Sequence, residues 1–380
     1  MVQSSISRRS ALLGSAALLV SPALYAADTA SLPHFRLLGD TSLPHRLSFQ
    51  DTTVGGLSAL DYDPVDDLWY TLCDDRSEHN PARFYTFRMT VSAEGLSRPN
   101  LQSVVFLRQA DGSTYPNRKQ RATANLQPGT VPDPEGLRFR PQTRTLLWSS
   151  EGNRKLGLAP FVREISLNGH HLRNLDMPPQ FNIAEGTGPR DNLGLEGLAL
   201  SPDGTTAWAA MENALLQDGP EPSANAVGGP CRITSWSTKT GKPLRQIAYV
   251  PDAIPALPFP IGGLAMNGIS EVIMATNHHL LVLERSYIVG VGNSLRLYRV
   301  NVQDGSDTLG EATLRPGHYT PAPKTLVLNF KDTGLKHLDN TEGMAWGPLL
   351  EGRKTLVFVS DDNFNPLQTT QFVAFEVTES

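Results

Sequence analysis

The sequence predicts an all-β fold, a β-propeller, and three observations carry that prediction. The first is a repeated phrase. An acidic residue opens a short apolar run, and a second acidic residue follows about sixteen positions on. Glu135-Gly136-Leu137-Arg138-Phe139 leads to Glu151, Glu196-Gly197-Leu198-Ala199-Leu200 to Glu212, and Glu342-Gly343-Met344-Ala345-Trp346 to Asp361 and Asp362. Looser copies run from Gly55-Gly56-Leu57 to Asp74 and Asp75, and from Glu271 to Glu284. The second observation is punctuation: short apolar runs end at Pro, Gly, Asn or Asp, and no helical period is sustained beyond the first 27 residues,. The third is a shared order of strands within each copy. Fixed-period repeats that each bury little alone point to a closed array.

Each unit justifies its strands in turn. The Glu-Gly-Leu run is the first, and the second ends at the second acidic residue. A polar residue opens the third, in runs 83–87, 163–165, 232–236, 296–300 and 371–375. A fourth follows at 103–107, 244–250 and 324–329. Four strands per unit make a propeller blade. The last unit lacks its fourth strand, and residues 34–38 or 45–50 are the candidates that complete it and close the ring. Unit starts at 55, 135, 196, 271 and 342 lie 61 to 80 residues apart, more than the roughly 40–50 of a typical blade. Five blades are therefore detected, with long loops at 109–131, 176–193, 213–230, 250–268 and 303–322, and a degenerate sixth blade is the alternative. A two-sheet sandwich does not predict a repeated grammar of this kind.

Residues 1–27 read as an export signal of the twin-arginine type: Arg8-Arg9 precedes the apolar run Ala11 to Val20, and Ala26-Ala27 offers a cleavage site,. That run is shorter than the roughly 20 residues a bilayer requires. Residues 28–380 are expected to form a single propeller domain, periplasmic or secreted, with no transmembrane segment after signal removal, and a monomer. Removing Arg8 and Arg9 leaves 31 basic against 38 acidic residues, a formal charge of −7. An acidic chain argues against a nucleic-acid partner. Cys73 and Cys231 could pair in an oxidising compartment or remain two buried thiols,.

In a propeller the first strand lines the channel, so its opening residue and the end of the antiparallel second strand share one rim. That brings Asp74, Asp75, Glu135, Glu151, Glu196, Glu212, Glu271, Glu284, Glu342, Asp361 and Asp362 towards one mouth. Clustered hard oxygen ligands without clustered His or Cys suit Ca²⁺. Glu135, Glu151, Glu196, Glu212, Glu342, Asp361 and Asp362 are the candidate metal ligands, and Asn192, Asn213, Asn277, Asn340 and Asn363 could add neutral oxygens. Among the arginines Arg76, Arg83, Arg163, Arg232, Arg285 and Arg296, the last five are the candidate substrate-binding residues, because a guanidinium fork grips a phosphate or carboxylate. Glu196, Glu342 and Asp361 are the candidate catalytic residues. Repeated Glu and Arg pairing as structural salt bridges is the competing expectation. No nucleophile elbow, phosphate loop, His-Glu-x-x-His or EF-hand loop occurs,.

Asn192-Leu193-Gly194-Leu195-Glu196-Gly197-Leu198, Leu283-Glu284-Arg285-Ser286 and Ser360-Asp361-Asp362-Asn363-Phe364 with Gln368 resemble the phytase-like family of exported bacterial proteins, also called esterase-like activity of phytase. The resemblance spans roughly residues 50–378. It implies a propeller hydrolase acting on phosphate or related esters, and it carries over no catalytic set residue by residue. The expected substrate is a small anionic ester. A non-catalytic ligand- or protein-binding propeller, or a Ca²⁺-dependent lactone or carboxyl-ester hydrolase, are the alternatives.

Overall fold

The structure, a computed structural model, describes residues 32–124 and 131–379; the export segment lies outside them. The described chain folds into five four-stranded antiparallel sheets around one axis. Blade 1 comprises Leu57–Asp63, Leu68–Cys73, Arg83–Arg88 and Asn100–Phe106. Blade 2 comprises Pro134–Arg140, Thr145–Ser150, Phe161–Ser166 and His171–Asn174, and blade 3 Leu195–Leu200, Thr206–Met211, Cys231–Ser237 and Pro243–Tyr249. Blade 4 comprises Ala265–Met274, His279–Ile288, Gly292–Asn301 and Lys324–Asn329. Blade 5 comprises Thr341–Trp346, Lys354–Ser360 and Gln371–Glu379, and its outer strand is the N-terminal Pro33–Ser42. Of the two candidates for ring closure it is the first that serves; Leu47–Phe49 instead forms a small hairpin with Thr52–Val54.

Both faces of every blade are covered by a neighbouring blade. This is why the strands read as continuous apolar runs rather than as alternation. Five apolar clusters result, one in each gap between blades, and the cluster that includes Leu57, Trp69, Val357 and Phe372 joins blade 5 back to blade 1. Cys73 and Cys231 are buried free thiols in two different clusters.

The repeated phrase has a local cause. In every blade the inner strand carries an irregularity where it pairs with the second strand, between Leu57 and Ala59, Pro134 and Leu137, Leu195 and Leu198, Ile269 and Glu271, and Thr341 and Gly343. A bulge gives the strand one residue more than its partner and re-aims a side chain. Glu135, Glu196 and Glu342 sit on it. The glycine that follows lies where adjacent inner strands nearly touch: a Cβ at Gly197 would come within 2.5 Å of the Val272 nitrogen, and one at Gly136 within 2.7 Å of Leu198 Cβ. The leucine or methionine after it fills the core.

This register corrects the alignment of two units. In blade 1 the bulge falls at Ser58, not Gly55. In blade 4 it falls at Ser270, so Glu271 takes the position of the glycine. The residue that follows the second-strand partner of the position before the bulge is Asp74, Glu151, Glu212, Arg285 and Asp361 in blades 1 to 5, so Arg285, not Glu284, is the blade 4 counterpart. In the third strand of blade 2, Phe161, not Arg163, stands opposite Ser150 as Arg83 stands opposite Cys73 and Arg296 opposite Glu284.

Candidate functional site

The bulged glutamates and the second-strand ends converge on one mouth of the channel. A cavity of about 550 Å³ opens there, lined by Asp74, Arg76, Glu135, Glu196, Glu212, Arg285, Asn340, Glu342 and Asp361, among others. Three oxygens, one each from Asp74, Asp133 and Glu135, lie within 4.8 Å of one another, and Glu151, Glu196 and Glu212 form a second such triad. Buried Asp74 Oδ1 and Asp133 Oδ2 have no hydrogen-bond partner.

Two guanidiniums reach this mouth. Arg76 pairs with Asp133 and places Nη2 2.6 Å from Asn192 Oδ1 and 3.8 Å from Glu151. Arg285 Nη2 lies 3.3 Å from Glu342 and 3.8 Å from Glu212, and its Nη1 donates to Asn340. Asn340 in turn donates to Glu342 Oε1 at 2.9 Å, so amide and carboxylate together hold the guanidinium at the cavity wall. Against these two cations stand eight carboxylates: Asp74, Asp133, Glu135, Glu151, Glu196, Glu212, Glu342 and Asp361.

The electrostatic result follows from burial and like charge. Burial, and then the neighbouring carboxylates, push Asp74, Asp133, Glu135, Glu196 and Asp361 well above the usual range. Burial raises Glu151 to about 7, with Glu212 adding to it and the Gly194 amide opposing it from 2.8 Å. Glu212 also rises to about 7 through burial, against the pull of Arg285. Glu342 rises less freely, because Arg285 and Asn340 favour its charged form.

Below the mouth, Arg138 crosses the axis. Its guanidinium donates to the carbonyls of Leu60 in blade 1, Leu137 in blade 2, Val272 in blade 4 and Met344 in blade 5, at 2.7 to 3.1 Å. Glu271 pairs with it at 2.8 Å. The glutamate expected at the rim therefore serves as counter-ion for this floor. Glu284 also lies away from the mouth, bonded to the Tyr249 hydroxyl at 2.6 Å and to Lys324 and Asn267 inside blade 4. Asp362 accepts from the amides of Gly56 and Phe364 and faces His45 at 3.5 Å, tying the blade 5 loop to blade 1.

Of the five candidate arginines, Arg285 alone lines the cavity. Arg83 is wholly buried against Asp75 and the Tyr85 hydroxyl at 2.7 and 2.6 Å. Arg232 grips both oxygens of Asp218 at 2.6 and 2.9 Å. Arg296 pairs with Asp252 at 3.0 Å. Arg163 stacks on the Phe161 ring at 3.7 Å and donates to the Tyr115 hydroxyl. These are links within and beside blades. Asp133 is the member that sequence reasoning missed. The signal available was a third acidic residue two positions before Glu135, where the other copies of the phrase have glycine or asparagine.

The chain is similar to several solved structures. A catalytic domain of an α-L-arabinofuranosidase from Coprinopsis cinerea is 10% identical, with 91% of this chain and 97% of that one covered and a TM-score of 0.44. A protein of unknown function from Dyadobacter fermentans is 12% identical, with coverages of 90% and 99% and a TM-score of 0.42. A protein from Lactobacillus plantarum is 14% identical, with coverages of 81% and 80% and a TM-score of 0.37. No protein of curated function matches the chain. The sequence profile described as esterase-like activity of phytase matches residues 52–364, and the chain therefore belongs to the phytase-like family.

Proposed function

We propose that the acidic mouth is the active site of a Ca²⁺-dependent hydrolase acting on a phosphate ester or related anionic ester. The observation that carries this reading is the charge imbalance: eight buried or half-buried carboxylates against two guanidiniums, with two carboxylate oxygens left unpartnered. Isolated buried charge is expensive, so such a set either keeps its protons or takes up a cation. Triads with oxygens inside 4.8 Å fit the reach of a Ca²⁺ shell, whose ligands stand about 2.3–2.6 Å from the ion. Asp74, Asp133 and Glu135 would hold one ion, and Glu151, Glu196 and Glu212 another. Bound Ca²⁺ supplies Lewis acidity towards an ester oxygen and reverses the sign of the local field.

The remaining roles fall to the chain itself. Arg285, braced by Asn340 and Glu342, receives the anionic group of the ester. Glu342 and Asp361 flank that position on blade 5, and Glu196 faces it from blade 3, so these three are the candidates to orient the ester and move a proton. Arg138 closes the floor and limits water to the open side. The same reading includes export by the twin-arginine signal and work in the periplasm or outside the cell; among the described residues no helix is long and apolar enough to cross a membrane.

Metal analysis of purified protein, with an ester panel assayed with and without chelator, tests the reading. Glu196→Gln combined with Glu342→Gln is expected to lower calcium occupancy and reduce kcat/KM by about a hundredfold, the low end for loss of proton-transfer groups. Unchanged calcium and unchanged turnover in that variant would falsify it.

A further inference from the structure

We infer that blade 4 carries an interfacial arm that seats the mouth on a lipid surface, so that the ester is taken from a lipid aggregate. Its three inner strands are ten residues each, against six or seven in blades 1 to 3. The excess extends past the rim: Met266, Tyr287 and Asn293 line the cavity, and the chain beyond them forms a projecting tip. Residues 253–264 and 288–293 in that tip contain no charged side chain. Phe259 is 78% exposed and Ile261 85%, with Leu257, Leu264 and Val291 exposed beside them.

The tip is not loose. The Phe259 amide donates to the Val289 carbonyl at 2.9 Å, Val289 to Leu264 at 2.9 Å and Gly263 to Pro260 at 3.0 Å. Gly290 has φ +80°, and a Cβ there would come within 2.4 Å of the Phe259 carbonyl oxygen, so the two turns are packed edge to edge. These backbone bonds fix the two turns against each other while large apolar side chains stay exposed, the form in which apolar groups are offered to a lipid interface. The charges of the arm stay at its base, where Asp252 is held by Arg296 and Lys324. Across the cavity Leu367, 90% exposed, adds an apolar contact on the blade 5 side. Contiguous exposed apolar surface rimming a polar cavity marks an interaction site. The absence of any charge at the tip, and its continuity with the cavity wall through Met266 and Tyr287, favour a lipid surface over an acidic or basic partner.

The inference rests on the hydrolase reading for its substrate but not for the docking itself. Full-length protein and the variant Phe259→Asp with Ile261→Asp are sedimented with mixed phosphatidylcholine–phosphatidylglycerol vesicles, assayed on a soluble ester and on the same ester in mixed micelles, and run in sedimentation velocity. Vesicle binding is expected to fall by about tenfold or more in the variant, from the loss of two inserted apolar side chains. Micellar turnover should fall with it, and soluble turnover should stay within about twofold, because neither residue lines the cavity. Val291→Asp alone should show the same pattern more weakly. Soluble turnover without vesicle binding by the native protein overturns the inference and leaves the hydrolase reading standing. Vesicle binding that the variant loses, with no ester turned over by either protein, supports docking and removes the hydrolase reading. A native dimer that the variant dissociates, without vesicle binding, makes the arm a contact between copies and overturns the inference.

Discussion

Two belts of charge run round this propeller, and they differ in one respect. The third-strand arginines Arg83, Arg232 and Arg296 occupy equivalent positions, and each has an acid of its own blade, Asp75, Asp218 and Asp252. The carboxylates of the mouth also recur, in blades 1, 2, 3 and 5, yet they face one another. Repetition marks both belts equally, so repetition alone does not distinguish scaffold from site. Partnership does. A charge paired inside its own repeat is satisfied wherever the repeat is copied, whereas like charges gathered on an axis are satisfied only by something added.

The sharpest way to break this comparison is to remove a member of the paired belt. Arg232→Met leaves Asp218 buried without its guanidinium and is expected to cost about 3–5 kcal/mol, the usual result of orphaning one half of a buried pair. Urea unfolding measures it, and the calcium content of the folded fraction should be unchanged. At the mouth the balance shifts from stability to function. Arg285→Gln should raise KM for an anionic ester by about tenfold or more, the worth of a charge-assisted bond, and lower the melting temperature of chelated protein, because Glu342 and Glu212 lose their counter-charge,.

The smallest effect is in pH. Folded Glu151 and Glu212 titrate at about 7, above the roughly 4.3 of an unfolded glutamate. The folded state therefore holds more protons than the unfolded state between these values, and stability falls as pH rises through that window. Chelated protein should lose several degrees of melting temperature between about pH 5 and about pH 7.5. Added calcium should abolish the slope, because it replaces the protons. A flat profile in chelator would show that the mouth is neutralised by another route.

The blade grammar was legible because burial on both faces imposes continuous apolar runs, and turns impose their own residues. The bulge was not legible, since it is a matter of register between strands. For that reason the sequence pattern does not mark Ser58 or Ser270, and it points to Glu271 and Glu284, each one position away from Ser270 and Arg285. The glycine gave the alignment only where a neighbouring strand presses on it; blade 4 has glutamate there, and that glutamate answers to Arg138, a residue on another blade. Arg163 misled for a related reason. It opens a β-rich run two residues after Phe161, the true opening position. The family resemblance named the fold, while partners such as Asp133 with Arg76 appear only when blades 1 and 2 are side by side.

The strand Pro33–Ser42 completes blade 5 by pairing with Gln371–Glu379 along nearly its whole length. The earliest described segment to emerge during synthesis is thus among the last to be placed. Until Gln371–Glu379 is made, Pro33–Ser42 has no strand to pair with and the contact of blade 5 with blade 1 is incomplete. Contacts this far apart in sequence form slowly. A chain without Gln371–Glu379 would leave Pro33–Ser42 with no strand to pair with and the ring open between blades 5 and 1.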